Sequence, residues 1–217
     1  MTRIVVIFLA TAVLFITQGD VAAADSAESL YFAVRGGTVF LQDSDLTISV
    51  PGIPAFGGEL FHDLGWAAGV ALGRSWDNGM ALEGELTYRE NGLDDETVMG
   101  GPMGVDGTES VFAAMANARY NFDMGWPITP FFGAGIGAAL LKIDAIPDMG
   151  GQFKDSDTEF AYQAMAGVSY ALSSHVSLAV EYRYFATTNP TFEDNSVSVD
   201  MDYQSHDVFM SLSYDLQ

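Results

Sequence analysis

Histidine is the side chain best suited to exchange a proton near neutral pH, and the chain holds three of them: His62, His175 and His206. His206 lies between Ser205 and Asp207, and a serine, a histidine and a carboxylate are the groups of a nucleophilic hydrolase. In a β-strand, however, Ser205 and Asp207 point to one face and His206 to the other. We therefore expect no catalytic triad here and no enzyme.

Other chemistry finds equally little support in the residue types. Cysteine is absent, which excludes disulfides, thiolate metal sites and a cysteine nucleophile. The acidic clusters Asp94 to Glu96 and Asp155 to Glu159 lack the glycine-containing loop of a calcium site, and no glycine-rich phosphate loop opens a helix. We predict no cofactor and no metal site, with weak cation binding by the acidic clusters as the alternative.

The N-terminus predicts export. Arg3 is followed by an apolar run from Ile4 to Ile16 and a stretch ending in small residues, Ala22 to Ala24. This run is shorter than the ~20 residues of a spanning helix and is typical of a cleaved secretory signal peptide. We expect residues 1–24 to be the signal peptide and residues 25–217 to be one domain.

The rest of the chain predicts membrane-spanning β-strands. From Val176 to Tyr184 large apolar and polar residues alternate, and seven further stretches repeat this period of two. The expected fold is an all-β, eight-stranded, antiparallel up-and-down transmembrane β-barrel. Its strands are expected near 30–41, 64–76, 80–90, 109–122, 129–143, 159–172, 176–186 and 205–216.

Loop lengths and charges predict the orientation. Three connections are tight, near 77–79, 123–128 and 173–175, and four are long and polar, at 42–63, 91–108, 144–158 and 187–204. Outer-membrane barrels have short periplasmic turns and long external loops. With the residues at their ends included, these connections hold 20 of the 29 acids and only one Lys or Arg, Lys154, when counted over Asp43 to Asp63, Glu90 to Glu109, Asp144 to Glu159 and Glu193 to Asp207. The net charge of −21 argues against nucleic-acid binding.

A soluble lipocalin-like barrel is the alternative fold. The face of the strands that carries the smaller, less apolar side chains argues against it. That face is rich in glycine and alanine, as in Gly65 to Gly73, and would be a poor surface to solvate. Inside a narrow barrel, small residues leave room for long side chains from other strands. The same parity predicts an internal, structural ion-pair network of Arg35, Arg119 and Arg183 with Glu83, Glu85 and Glu181, and with Arg89 near its upper end. A proton or ion path is the alternative role.

The opposite parity is expected to face lipid. Its aromatic residues lie near the strand ends and predict two interfacial girdles. Arg74 and Lys142 share this parity at strand ends, where long basic side chains can reach lipid headgroups or lipopolysaccharide phosphates. The upper girdle comprises Trp66, Tyr88, Phe160, Tyr162, Tyr182 and Tyr184, and the lower one Trp76, Tyr120, Phe122, Phe132, Tyr170 and Tyr214.

Four segments carry a resemblance to a known family: Leu30 to Gly37, Gly65 to Gly73, Pro130 to Gly137 and Glu181 to Tyr184. Together they resemble the outer-membrane β-barrel domain family of Gram-negative bacteria, often labelled the porin family. The family includes opacity-type surface proteins and the barrel of outer membrane protein A. The chain departs from it in ending with Gln217 where such proteins usually have an aromatic residue that the barrel-assembly machinery reads.

From these features we expect a non-catalytic protein of the cell outer membrane with a packed interior and acidic external loops. Its role would be envelope structure or surface interaction. The expected partners are outer-membrane lipid and lipopolysaccharide, the barrel-assembly machinery during insertion, and a surface ligand or a host or neighbouring protein at the loops. The alternatives are a narrow porin-like channel or hydrophobic-ligand conduit and, third, a lipid A-modifying enzyme.

Overall fold

The computed structural model of the protein describes residues 28–42, 44–49, 56–62, 64–98, 101–103, 105–147, 153–188, 191–194, 197–200 and 203–216. The predicted signal peptide lies outside the described residues. Among them there is no helix of the length and apolar character needed to cross a membrane.

Eight long antiparallel strands form a closed barrel, as the sequence predicts. Each strand pairs with the next along the chain, and the last pairs with the first, with Phe32 opposite Tyr214. The strands are β1 Glu28–Leu41, β2 Gly65–Trp76, β3 Met80–Val98, β4 Val105–Asn121, β5 Ile128–Pro147, β6 Phe153–Ala171, β7 Val176–Thr187 and β8 Gln204–Asp215.

Strand structure also extends into the long connections, where the sequence predicts no strand. The strands β3 to β6 continue past their expected upper ends. The backbone pairing of these strands continues there, although the alternation of apolar and polar residues in the sequence is lost. Five shorter strands lie in the same connections: Ser44–Ser49, Phe56–His62, Gly101–Met103, Thr191–Asp194 and Val197–Asp200.

The three short turns lie together at the other end of the barrel and are closed by local hydrogen bonds. Gly79 has φ +87° and donates its N–H to the Trp76 carbonyl at 3.0 Å. Gly125 has φ +69° and donates its N–H to Asp123 Oδ1 at 2.8 Å. In the third turn Ser173 Oγ accepts the Val176 N–H at 3.1 Å. Two positive φ angles explain why glycine occupies those positions.

Burial alternates along the strands in the predicted sense. In β1, Tyr31, Ala33 and Arg35 are buried inside, whereas Phe32 and Val34 are exposed on the outer wall. Glycines on the inner face make room for neighbours: a Cβ on Gly135 would overlap the Asn117 side chain, and one on Gly133 would lie 2.9 Å from Arg119 Cγ. The interior is therefore filled by long polar side chains that extend over small residues on the inner faces of neighbouring strands.

Candidate functional site in the barrel interior

The interior is built around two carboxylates on β3, Glu83 and Glu85. Both point inward because they share the parity of the buried positions of that strand, and both are almost completely buried. Arg35, on β1, binds both of them: its Nη2 lies 2.9 Å from Glu83 Oε2, and its Nη1 contacts Glu85 Oε2. The strand between β1 and β3 permits this bridge because it faces the lumen with glycine and alanine.

Arg183 connects this pair to the opposite wall. It lies on β7, across the ring from β3, and is fully buried. Its Nη2 lies 3.2 Å from Glu85 Oε2, its Nη1 contacts Glu85 Oε1, and its Nε donates to Glu181 Oε1 at 3.0 Å. Its guanidinium also lies 4.9 Å from the centre of the Phe209 ring. The Arg183–Glu85 pair therefore spans the lumen.

Neutral polar groups and Arg119 complete the network. Arg119 Nη1 lies 3.2 Å from Glu83 Oε2, and its guanidinium stacks 4.0 Å above the Phe131 ring. Asn117 Nδ2 donates to Glu83 and Glu85 at 3.3 and 3.2 Å, and Gln163 Nε2 donates to Asn117 Oδ1 at 2.6 Å. Each glutamate thus accepts hydrogen bonds from several donors, as a buried carboxylate requires.

Charge is balanced within this network. The structure brings together six of the seven predicted residues: three arginines, Arg35, Arg119 and Arg183, and three glutamates, Glu83, Glu85 and Glu181. Removing one partner of a buried ion pair typically destabilises a protein by about 3–5 kcal/mol, because the other charge remains buried. Replacing any one of the six residues is therefore expected to leave a buried charge without its partner and to destabilise the barrel.

Arg89, the seventh predicted residue, belongs to a second ion pair nearer the long connections. Its Nε lies 3.0 Å from Asp207 Oδ2 on β8, and its guanidinium lies 4.0 Å from the centre of the Phe185 ring on β7. Both charged residues are completely buried. We counted Asp207 and Glu109 among the acids of the long connections, and this was wrong, because both side chains are buried in the barrel.

An apolar cluster surrounds this second pair. Tyr203, directly before β8, is 2% exposed and packs edge-on against Phe185 with the ring centres 5.9 Å apart. Inward residues of β4 to β7 complete the cluster, so the upper lumen is filled by rings and aliphatic chains. Its buried members are Val111, Ala113, Met115, Ala139, Leu141, Ala161, Phe185 and Tyr203.

The histidines do not form a catalytic constellation with the described residues around them. Ser205 and Asp207 are buried in the lumen, while His206 lies on the outer wall with its Nδ1 2.6 Å from the Tyr182 hydroxyl. His175 is exposed in a short turn, where its Nδ1 lies 2.8 Å from Ser174 Oγ. The His62 side chain lies outside the described residues. In the described part of the chain, no three His, Asp or Glu residues come together as metal ligands.

Sequence reasoning missed several members of the interior. Asn117, Gln163 and Thr87 have the inward parity, and so does Tyr31, whose hydroxyl donates to Glu83 Oε2 at 3.0 Å. Parity identifies these residues as facing the lumen, but it does not show which of them contact the charged residues. Asp207 also has the inward parity, but its position at a predicted strand end suggested a solvent-exposed acid.

A closed barrel of eight strands with alternating faces is the architecture of many outer-membrane proteins, and the family comparison identifies the group. The model of the outer membrane protein beta-barrel domain matches residues 8–214. The chain belongs to this family. Membership confirms the predicted resemblance and implies that the protein resides in the outer membrane.

Among curated proteins, the barrel protein is similar to an uncharacterized protein of Brucella abortus, with 42% identity over 85 residues. That match covers 35% of this chain and 30% of the relative. An outer membrane protein of Gluconacetobacter diazotrophicus is 24% identical over 137 residues, covering 57% of this chain and 35% of the relative. The matched part of the chain thus spans about a third of the length of these relatives.

Solved structures show the same fold at low identity. Neisserial surface protein A matches with a TM-score of 0.51 and 18% identity, covering 88% of this chain and 99% of that one. OprG of Pseudomonas aeruginosa has a TM-score of 0.64 and 13% identity, covering 88% and 97%. The outer membrane protease OmpT of Escherichia coli has a TM-score of 0.50 and 7% identity, covering 90% and 99%. These similarities concern the fold alone.

Proposed function

We propose that the protein is a non-catalytic outer-membrane barrel whose lumen is closed by its own side chains and whose acidic external connections serve envelope structure or surface interaction. The observation that carries this proposal is the ion pair between Arg183 and Glu85, which joins opposite walls of the barrel. An eight-stranded barrel has an interior just wide enough for side chains to fill. A polar crossing at mid-lumen therefore blocks the path of a solute.

Two further layers support a closed lumen. The Arg89–Asp207 pair crosses the barrel above the main network, and the apolar cluster around Tyr203 and Phe185 fills the same half. An ion passing through would have to separate buried charge pairs, each of which is costly to break. Below the main network, Phe131 under Arg119 and Tyr31 beside Glu83 narrow the lumen again.

Conductance of the purified protein in a planar lipid bilayer tests this proposal. We expect the wild-type barrel to be electrically silent. A double variant, Glu85→Ser with Arg183→Ser, removes the mid-lumen crossing as a neutral pair and is expected to conduct more than the wild type. Reproducible wild-type channels with the conductance of the double variant would refute the closed lumen and favour the narrow pore or conduit.

The catalytic alternative has its own test. Incubating the refolded protein with lipid A and analysing the product by mass spectrometry would detect deacylation or acyl transfer. We expect unchanged lipid A, since His206 contacts Tyr182 on the outer wall while Ser205 and Asp207 lie inside. Turnover that disappears in His206→Ala would overturn the non-catalytic proposal.

The negative charge of the long connections leads us to propose a positively charged partner at the surface. Most of the 29 acids of the chain fall in the four long connections, with Lys154 as the single Lys or Arg among them. Such a surface attracts positively charged partners and repels anionic ones. Binding of a basic protein or peptide at the surface should weaken as ionic strength rises, because exposed charges are screened beyond about 10 Å at 0.1 M salt.

A further inference from the structure

One of the three short turns differs from the others in exposing a tryptophan side chain. In the segment 122–127, which we name the tryptophan turn, Trp126 is 67% exposed and Met124 is 49% exposed. The turn at 77–79 consists of polar residues and glycine, and the turn at 172–175 has one large apolar residue, Leu172, which is 54% exposed. A tryptophan left in water at a tight turn is unfavourable unless something covers it.

The tryptophan turn continues the lipid-facing wall of the barrel. Tyr120, Phe122 and Phe132 form a cluster on the outer surface, with ring centres 4.9 Å apart for Tyr120–Phe122 and 5.5 Å apart for Phe122–Phe132. The Phe122 N–H donates to the Pro130 carbonyl at 2.8 Å, which joins the start of the turn to β5. Phe122 therefore belongs both to the aromatic cluster of the girdle and to the turn, and it connects the two.

The local charges fit a lipid interface. Asp123 is the only charged residue of the tryptophan turn, and its Oδ1 accepts the Gly125 N–H at 2.8 Å, which holds the turn in shape. Tryptophan prefers the boundary between hydrocarbon and headgroups, where the ring is in apolar surroundings and the indole N–H finds a polar partner. Short turns of such barrels face the periplasm.

We propose that the tryptophan turn inserts into the headgroup region of the inner, periplasmic leaflet and anchors the barrel on the side of β4 and β5. The occupant of this surface is lipid, because the turn is continuous with the lipid-facing girdle. The anchor is one-sided, since the other two short turns contain no tryptophan and only one large apolar residue, Leu172.

Fluorescence can test this directly, because the chain has three tryptophans, Trp66, Trp76 and Trp126. The double variant Trp66→Phe with Trp76→Phe leaves Trp126 as the sole reporter in the protein refolded into phosphatidylcholine vesicles. A protein keeping only Trp66 is the lipid-facing control, as this residue is 50% exposed on the outer wall. A protein keeping only Trp76, whose Nε1 donates to Glu28 Oε1 at 2.8 Å, is the control at the short-turn end.

We expect the emission of Trp126 to be blue-shifted relative to the urea-unfolded protein and to be quenched by brominated lipid. Bromines high on the acyl chains should quench it more than bromines near the chain ends, and acrylamide should quench it several-fold less than in the unfolded protein. If the double variant does not fold, the loss of bromolipid quenching in Trp126→Phe relative to the wild type gives the same information.

The opposite result overturns the proposal. Trp126 would then emit as in the unfolded protein, respond fully to acrylamide and be unaffected by bromolipids, while Trp66 still reported lipid. The turn would in that case lie in the periplasm, exposed to a soluble protein partner.

Discussion

Glu85 is the residue whose replacement tests the interior most directly. Its Oε2 accepts from Asn117 and from both Arg35 and Arg183, and its Oε1 accepts from Arg183 and, at 2.7 Å, from the Thr87 hydroxyl. The substitution Glu85→Gln keeps the size of the side chain but removes its charge. It also replaces one acceptor oxygen by an NH₂ group that faces arginine or hydroxyl donors.

The expected loss of stability in Glu85→Gln depends on the ion pairs that the variant keeps. The main network would then hold three arginines and two glutamates, but Arg35 keeps Glu83 at 2.9 Å and Arg183 keeps Glu181 at 3.0 Å. We therefore expect the low end of the range for breaking a buried ion pair, a loss of about 3 kcal/mol in the free energy of unfolding. With a urea dependence of about 2 kcal/mol per M, the unfolding midpoint falls by about 1.5 M.

Equilibrium urea unfolding in lipid vesicles, followed by tryptophan fluorescence, measures this change. The matched control is Glu90→Gln on the same strand, since Glu90 has the outward parity and accepts the Tyr88 hydroxyl at 2.6 Å. We expect it to alter stability by no more than about 0.5 kcal/mol. Equal midpoints for the two variants and the wild type would show that the network contributes nothing to stability, and our account of the interior would be wrong.

Two further predictions use the same unfolding assay. Gly79→Ala should lower the free energy of unfolding by about 1–2 kcal/mol, because Gly79 has a positive φ. The loss should exceed that of Gly125→Ala, since a Cβ at Gly79 would lie 2.6 Å from the Asn121 carbonyl oxygen, whereas a Cβ at Gly125 would meet open space. Equal losses for the two variants would contradict this prediction. Tyr203→Ala should cost about 3–5 kcal/mol by leaving a cavity beside Phe185, while Tyr203→Phe keeps the ring and should cost about 1 kcal/mol. A Tyr203→Ala protein as stable as the phenylalanine variant would show that the ring is not part of the core.

The fold could be predicted because the same alternation of residue types between the two faces recurs in each strand. A wall with lipid on one side and a narrow interior on the other requires large apolar residues at one parity and small or paired polar residues at the other. Val180 and Tyr182 are exposed outside, whereas Glu181 and Arg183 are buried inside, and this single contrast already orients β7. The pattern fades in the sequence beyond the expected upper ends of β3 to β6, although these strands continue.

The partners of Arg89 could not be predicted for a different reason. Parity states which residues face the lumen, but contacts across the lumen depend on the tilt and stagger of strands that are not neighbours. Arg89 reaches Asp207 on β8 and Phe185 on β7, and neither strand pairs with β3. The same limit explains why Asn117 and Gln163 were not recognised as links between the charged residues.

The pairing of β1 with β8 has a consequence for how the barrel is made. Tyr31 faces Asp215 across this seam, so the contact that closes the ring joins the two ends of the domain. Pairings between such distant parts of a chain form slowly, because a long loop must first be ordered. Until β8 has been synthesised and delivered, β1 and β7 each present an open edge able to pair with another chain. A sheet that lacks only this twelve-residue strand therefore has two unpaired edges instead of none.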